Sequence, residues 1–234
     1  DALHSTYNSQ LWNATEQAYS AGYYDGSKLG PTVHAQLMAL YSGLVPADRL
    51  AATRAWYLAN YKNPGAGFVV GAKSNHLDLI AGKAGLDIPI MYYGAFTELY
   101  RADTAALDQE AISEMRRRWK NMVHFLQDAG TLSESFVNDN GGGIHESCHN
   151  YGAIPAYFLS SFVLGPRVTG PHGNRQLVIE PRPGDLTSAS GTVVTDLGPV
   201  PVSWTKNNGP LQFSCKVPPG KAPTLRLPLV GPPV

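Results

Sequence analysis

The feature that most constrains the fold is a change of pattern at Gly165. Before it, apolar residues recur at helical spacing: Ala2–Trp12, Val33–Leu44, Pro46–Ala59, Leu77–Ala84, Ile90–Arg101, Thr104–Gln127 and Ser147–Leu164 all read as helices. Pro46 sits where a first turn tolerates proline, and Thr104 can cap the longest helix. Tyr19–Pro31, rich in Gly and Tyr, reads as a connection. Pro155 falls about two turns into Ser147–Leu164, so that helix either kinks or begins near Ala153. After Gly165, short β-type runs are separated by Pro- and Gly-rich turns: Gln176–Glu180, Thr192–Thr195, Val200–Thr205, Leu211–Val217 and Thr224–Leu229. The pattern predicts an α+β, multidomain chain, with helical residues 1–165 followed by an antiparallel β-sandwich over 166–234.

Antiparallel helical hairpins in this number suggest an α/α toroid. A closed (α/α)6 toroid needs twelve helices, so the chain would supply its second half. An open half would expose apolar faces, and a partner segment is therefore expected. The chain begins at Asp1 without a Met, consistent with a mature or trimmed polypeptide.

Composition narrows the partners. Of 234 residues, 43% are apolar and 15% charged, and 18 basic residues balance 18 acidic ones. No broad field attracts nucleic acid or an anionic membrane, and runs such as Ala153–Leu164 are too short to span a bilayer. A neutral surface with many Tyr and Trp side chains suits neutral ligands such as sugars. Asn13-Ala14-Thr15 is a glycosylation sequon compatible with an extracellular or secreted location. Cys148 and Cys215 make no disulfide framework and read as two buried thiols, although pairing stays open.

Residues capable of chemistry concentrate between Thr131 and Tyr151. Glu134 stands next to Ser135 and Phe136 just after a helix end at Asp128-Ala129-Gly130. A carboxylate there can be partly desolvated and activate water as a general base, although it can equally serve as a surface loop acid. His145-Glu146-Ser147-Cys148-His149 spells H-E-x-x-H, the zinc-protease pattern. That pattern needs a helix placing both His on one face, and Gly141-Gly142-Gly143 argues against a helix through His145. With no further His, Asp or Glu until His172, no metal and no cofactor are expected. His149 and Tyr151 can instead offer an imidazole and an aromatic face to sugar hydroxyls, with His149 as a helix cap the plainer alternative. Tyr92 and Tyr93, opening the Ile90–Arg101 helix, read as core or rim aromatics that could join such a pocket.

Ser147-Cys148-His149-Asn150-Tyr151-Gly152-Ala153, followed by Pro155-Ala156-Tyr157-Phe158-Leu159-Ser160 and Val163-Leu164-Gly165, resembles the last barrel helix of bacterial-type α-L-rhamnosidases. Ile179-Glu180-Pro181-Arg182-Pro183-Gly184-Asp185-Leu186, Ser190-Gly191-Thr192-Val193 and Gly198–Trp204 resemble the C-terminal sandwich of the same family. The resemblance implies a six-hairpin α/α barrel and inverting hydrolysis of terminal α-L-rhamnosides. By position, Glu134 matches the family's general base, and the resemblance supports His149 as a sugar contact; Tyr151, Tyr92, His145 and Glu146 stand beside them as candidate substrate contacts. Ser133 stands where the family has Trp, and Asn150-Tyr151 replaces Gly-Trp. Nothing here matches the family's general-acid motif, so the acid is expected in an N-terminal half of the same enzyme. A rhamnosylated glycoside or saccharide is the implied substrate. Two alternatives stand beside hydrolysis: a lyase acting on rhamnosyl-glucuronate ends, using Tyr or His, and a non-catalytic part that binds carbohydrate or braces the barrel. In the sandwich, Trp204 reads as a core residue, which favours bracing.

Overall fold

The computed structural model describes residues 2–60, 90–101, 105–133, 150–207 and 209–227. The expected helix Leu77–Ala84 and the Thr104 cap lie outside them. The chain divides into two compact units. One comprises Asp1–Glu98 with Asn121–Gly152, the other Leu99–Lys120 with Ala153–Val234.

The first unit is mainly helical: α1 (Ala2–Gln10), α2 (Val33–Ser42), α3 (Ala47–Asn60), the start of α4 (Ile90–Arg101) and the end of α5 (Ala105–Ala129). The caps fix α2. Thr32 Oγ1 accepts the Ala35 N–H at 3.1 Å, and Gly43 closes the helix in the left-handed region at φ 71°. The expected helix Ala2–Trp12 ends at Gln10, and short antiparallel pairings follow, one before and one within the Tyr19–Pro31 segment read as a plain connection. β1 (Trp12–Asn13) pairs with β2 (Ala18–Tyr19), and β3 (Tyr23–Tyr24) pairs with β4 (Ser27–Lys28). Buried Gln36 ties this ribbon to α2. Its amide accepts the Tyr19 N–H at 2.5 Å and donates to the Tyr19 carbonyl at 2.7 Å, so a buried polar side chain is satisfied by a strand backbone. Gly94 lets α4 approach α2: a Cβ there would lie 3.0 Å from Leu37 Cγ.

In the second unit the expected irregularity at Pro155 is present. A 3-10 turn (Asn150–Ala153), whose first three residues still belong to the first unit, leads into α6 (Ile154–Phe158), with Pro155 in its first turn, and a π-helical turn (Leu159–Leu164) follows. Gly165 ends it at φ 107°, and a Cβ there would fall 2.5 Å from Pro181 N. Two sheets follow. β5 (Pro166–Thr169), not expected from the sequence, pairs antiparallel with β6 (Gln176–Ile179). β7 (Ser188–Thr195), β8 (Gly198–Thr205) and β9 (Gln212–Cys215) form an antiparallel meander. One pairing departs from the antiparallel expectation: β10 (Thr224–Leu225) lies parallel to β6, because it reaches the first sheet only after the chain has built the second.

Leu177 and Ile179 of β6 join Val200, Val202 and Trp204 of β8 in one buried cluster, which also takes in Ile112 of α5 and Val163 of the π turn. Trp204 is core, as its sequence context suggested, and its indole N–H donates to the Val163 carbonyl at 2.9 Å. Cys215 is half-buried and carries no disulfide among the described residues, and burial pushes its thiol pKa up. Cys148 lies outside the described residues.

Candidate functional site

α5 ends as its sequence suggests: Gly130, at φ 70°, donates its N–H to the Leu126 carbonyl at 2.9 Å. Thr131 and Leu132 then lead to Ser133, which is fully buried. The position where the resemblance puts a Trp is therefore packed in this chain, and a small hydroxyl fits it. On the other flank, the 3-10 turn carries half-buried Tyr151 and buried Gly152.

These two flanks touch. A Cβ on Gly152 would lie 2.7 Å from Leu132 Cβ, 2.8 Å from Met122 Cε and 3.2 Å from the Ser133 carbonyl oxygen. Gly152 is thus a glycine for lack of room, since its backbone is helical in kind and needs no positive φ. The chain enters the Glu134–His149 stretch at Ser133 and leaves it at Asn150, and the contact at Gly152 holds these ends together. Sequence reasoning missed Gly152. Its only signal was a small residue directly after Tyr151 in the motif that carried the resemblance.

Of the expected site residues, Tyr151 is the one whose side chain is described. Glu134, His145, Glu146 and His149 lie outside the described residues, and with them the whole H-E-x-x-H run. Tyr92 lies in the first turn of α4, and its side chain is also outside them. Its neighbour Tyr93 is exposed at the rim, edge-on to Tyr41 with ring centroids 5.9 Å apart. Among the described residues, no group of three or more His, Cys, Asp or Glu could hold a metal. No described helix is long and apolar enough to cross a membrane.

The sandwich motif Glu180–Leu186 has a structural role within the second unit. Arg182 forms a two-point contact with Asp108 of α5, Nε to Oδ2 at 3.0 Å and Nη2 to Oδ1 at 2.8 Å, and both side chains are largely buried. Its third nitrogen donates to the Tyr100 carbonyl. Arg116 pairs with Asp185 at 2.5 Å. Gly184, at φ 54°, sits so close to α5 that a Cβ would fall 2.7 Å from Ile112 Cδ1. The Tyr100 ring stacks on Phe162 with centroids 4.6 Å apart, and burial, with the Asp108 charge adding to it, pushes its phenol well above the ordinary value. This motif clamps sheet to helix.

Residues 167–232 match the bacterial alpha-L-rhamnosidase C-terminal domain. The resemblance carried by the sandwich motifs is borne out there. Over 233 residues the chain is 25% identical to an alpha-L-rhamnosidase of Streptomyces avermitilis, covering 93% of this chain and 20% of that protein. The fold is similar to that of the alpha-L-rhamnosidase from Dictyoglumus thermophilum, with a TM-score of 0.63 and 18% identity over 92% of this chain and 22% of that one. It is also similar to the S. avermitilis alpha-L-rhamnosidase complexed with L-rhamnose, with a TM-score of 0.59 and 19% identity over 94% of this chain and 19% of that one. The chain therefore spans about a fifth of the length of these relatives.

Proposed function

We propose that this chain is the C-terminal part of an inverting glycoside hydrolase that removes terminal α-L-rhamnosyl residues from glycosides or saccharides. The observation that carries the reading is the alignment of 93% of the chain with an alpha-L-rhamnosidase, together with the match of residues 167–232 to the alpha-L-rhamnosidase C-terminal domain. In this reading Glu134 is the general base that deprotonates the attacking water. The general acid and the rest of the helical barrel come from a preceding part of the protein, because inversion needs two carboxyls about 6.5–9.5 Å apart around that water and the leaving oxygen. Tyr151 supplies an aromatic face and a hydroxyl to the sugar, joined by His149, Tyr92, His145 and Glu146. The packed contact of Gly152 with Leu132 and Ser133 supports the assignment, since it fixes both ends of the segment that carries Glu134 and His149.

The test is hydrolysis of an aryl α-L-rhamnoside by the protein that contains this chain, with the anomer of the released sugar followed by NMR. The expected product is the inverted anomer, and Glu134→Gln should lower kcat by at least about 100-fold. A Glu134→Gln variant within a few-fold of the parent would remove Glu134 from the role of base. A product with ultraviolet absorbance from an unsaturated uronate would replace hydrolysis by elimination.

A further inference from the structure

β7 forms an edge of the second sheet: among the described residues it pairs with β8 and with no other strand. In an antiparallel ladder the N–H and C=O of a residue point to the same neighbour, and the direction alternates along the strand. The Lys206 N–H donates to the Thr187 carbonyl at 2.7 Å, so the odd-numbered residues of β7, Ala189, Gly191, Val193 and Thr195, turn toward β8. The other side of β8 agrees. The Lys216 N–H donates to the Pro201 carbonyl, which turns Pro199, Pro201 and Ser203 toward β9 and leaves Val200, Val202 and Trp204 facing β7. The missing N–H groups of the two prolines therefore spare the β7–β8 ladder. It follows that Ser188, Ser190, Thr192 and Val194 aim their backbone donors and acceptors at the open edge.

All four of these residues are exposed, and Val194, at 84%, is the most exposed of the large apolar side chains described. Sheet edges are ordinarily blunted by a charge, a proline, a bulge or short length. β7 is eight residues long with no charged residue, no proline and an unbroken register against β8.

We propose that this edge pairs with the same strand of a second copy of the chain about a two-fold axis. The strand is self-complementary. Antiparallel pairing centred on Gly191 sets Ser190 opposite Thr192 of the partner subunit and Ser188 opposite Val194 of the partner subunit. These are the residues whose backbone groups face outward, so the match makes about eight inter-chain hydrogen bonds. Gly191 meets Gly191 of the partner subunit at the axis, in a non-hydrogen-bonded position where the backbones approach to about 4.5 Å. No like charges oppose each other anywhere along the strand. An isologous contact of this kind closes on itself and ends at the dimer.

Sedimentation velocity of the protein that contains this chain, over a wide concentration range, tests the pairing. The expected result is a monomer–dimer equilibrium, weakened at least about tenfold, or 1.4 kcal/mol, by Thr192→Lys, which puts two lysines beside the axis. Thr192→Pro removes an outward N–H without touching the β8 ladder and should act alike, with far-UV circular dichroism confirming that both variants fold. Ser203→Lys, on the same sheet away from the edge, should leave the equilibrium unchanged. Hydrogen exchange at the Ser190 and Thr192 amides should slow as concentration rises. A chain that stays monomeric throughout, or a dimer indifferent to both Thr192 variants, overturns the proposal.

Discussion

Two seams, one in each unit, bring separate stretches of chain together around a glycine, and they do so with opposite chemistry. In the first unit, Gly152 meets Leu132, Met122 and the Ser133 carbonyl without a charged group among those neighbours. In the second, Gly184 approaches Ile112 and the α5 backbone while Arg182 grips Asp108 and Tyr100 beside it. Close packing holds a segment in place without specifying charge, and it fails when volume is added. A buried ion pair specifies its partner, and it fails when one charge is removed.

The largest effect should come from the charged seam. Arg182→Met strands the buried Asp108 carboxylate and should cost about 3–5 kcal/mol of stability, read by denaturant unfolding with Trp204 fluorescence. The double variant Arg182→Met, Asp108→Leu should regain much of that loss, since no uncompensated charge remains. If the double variant is as unstable as the single, the seam depends on the shape of Arg182 and the contrast with Gly152 collapses.

Gly152→Ala sharpens the other side. The added methyl overlaps Leu132 Cβ and Met122 Cε and should cost about 1–3 kcal/mol, with Leu132 the less yielding neighbour. In the protein containing this chain, the same variant should also lower kcat, because it moves the ends of the segment bearing Glu134. A variant with full stability would mean that Met122 and Leu132 move aside freely.

The smallest effect lies in alkaline solution and involves both units. Burial raises the Tyr7 phenol from 10.0 to about 12, with Tyr19 adding to the shift, and burial raises Tyr100 further. The unfolded chain loses these protons near pH 10 while the folded chain keeps them, so their contribution is complete below pH 10 and declines as pH rises through the folded values. Tyr7→Phe and Tyr100→Phe should each flatten the decline above pH 10 in a thermal melt series. Equal slopes in parent and variants would show that neither ring is protected.

Much of the fold was legible where local chemistry and tertiary packing agree. Ile90–Arg101 is helical over the expected span, Pro155 falls at a helix start, and four of the five expected β runs overlap strands, although Thr192–Thr195 is only the second half of Ser188–Thr195 and Leu211–Val217 narrows to Gln212–Cys215. Of the fifth, Thr224–Leu229, a strand takes Thr224–Leu225, and its last two residues lie outside the described ones. Trp204 was expected to be core, and the structure buries it in alternation with Val200 and Val202. The short ribbons at Trp12–Lys28 were not legible, because two-residue strands leave no period and the ribbon is tied down by a distant glutamine, Gln36. In the candidate site, the end of α5 and the place of Tyr151 in a helical turn followed from sequence. The burial of Ser133 and the tight fit at Gly152 did not, since both depend on residues from separate stretches of chain.

The change at Gly165 was determined by sequence alone, because helical periodicity, strand alternation and turn residues are local properties. The resemblance carried by Ile179–Leu186 was likewise readable as a string of letters. What those letters do was decided by tertiary structure. Arg182 and Asp108 lie 74 positions apart, and only folding makes them one ion pair. Pattern along the chain specifies which elements form, whereas the room left at Gly152 and Gly184 is a property of neighbours that the sequence places far away.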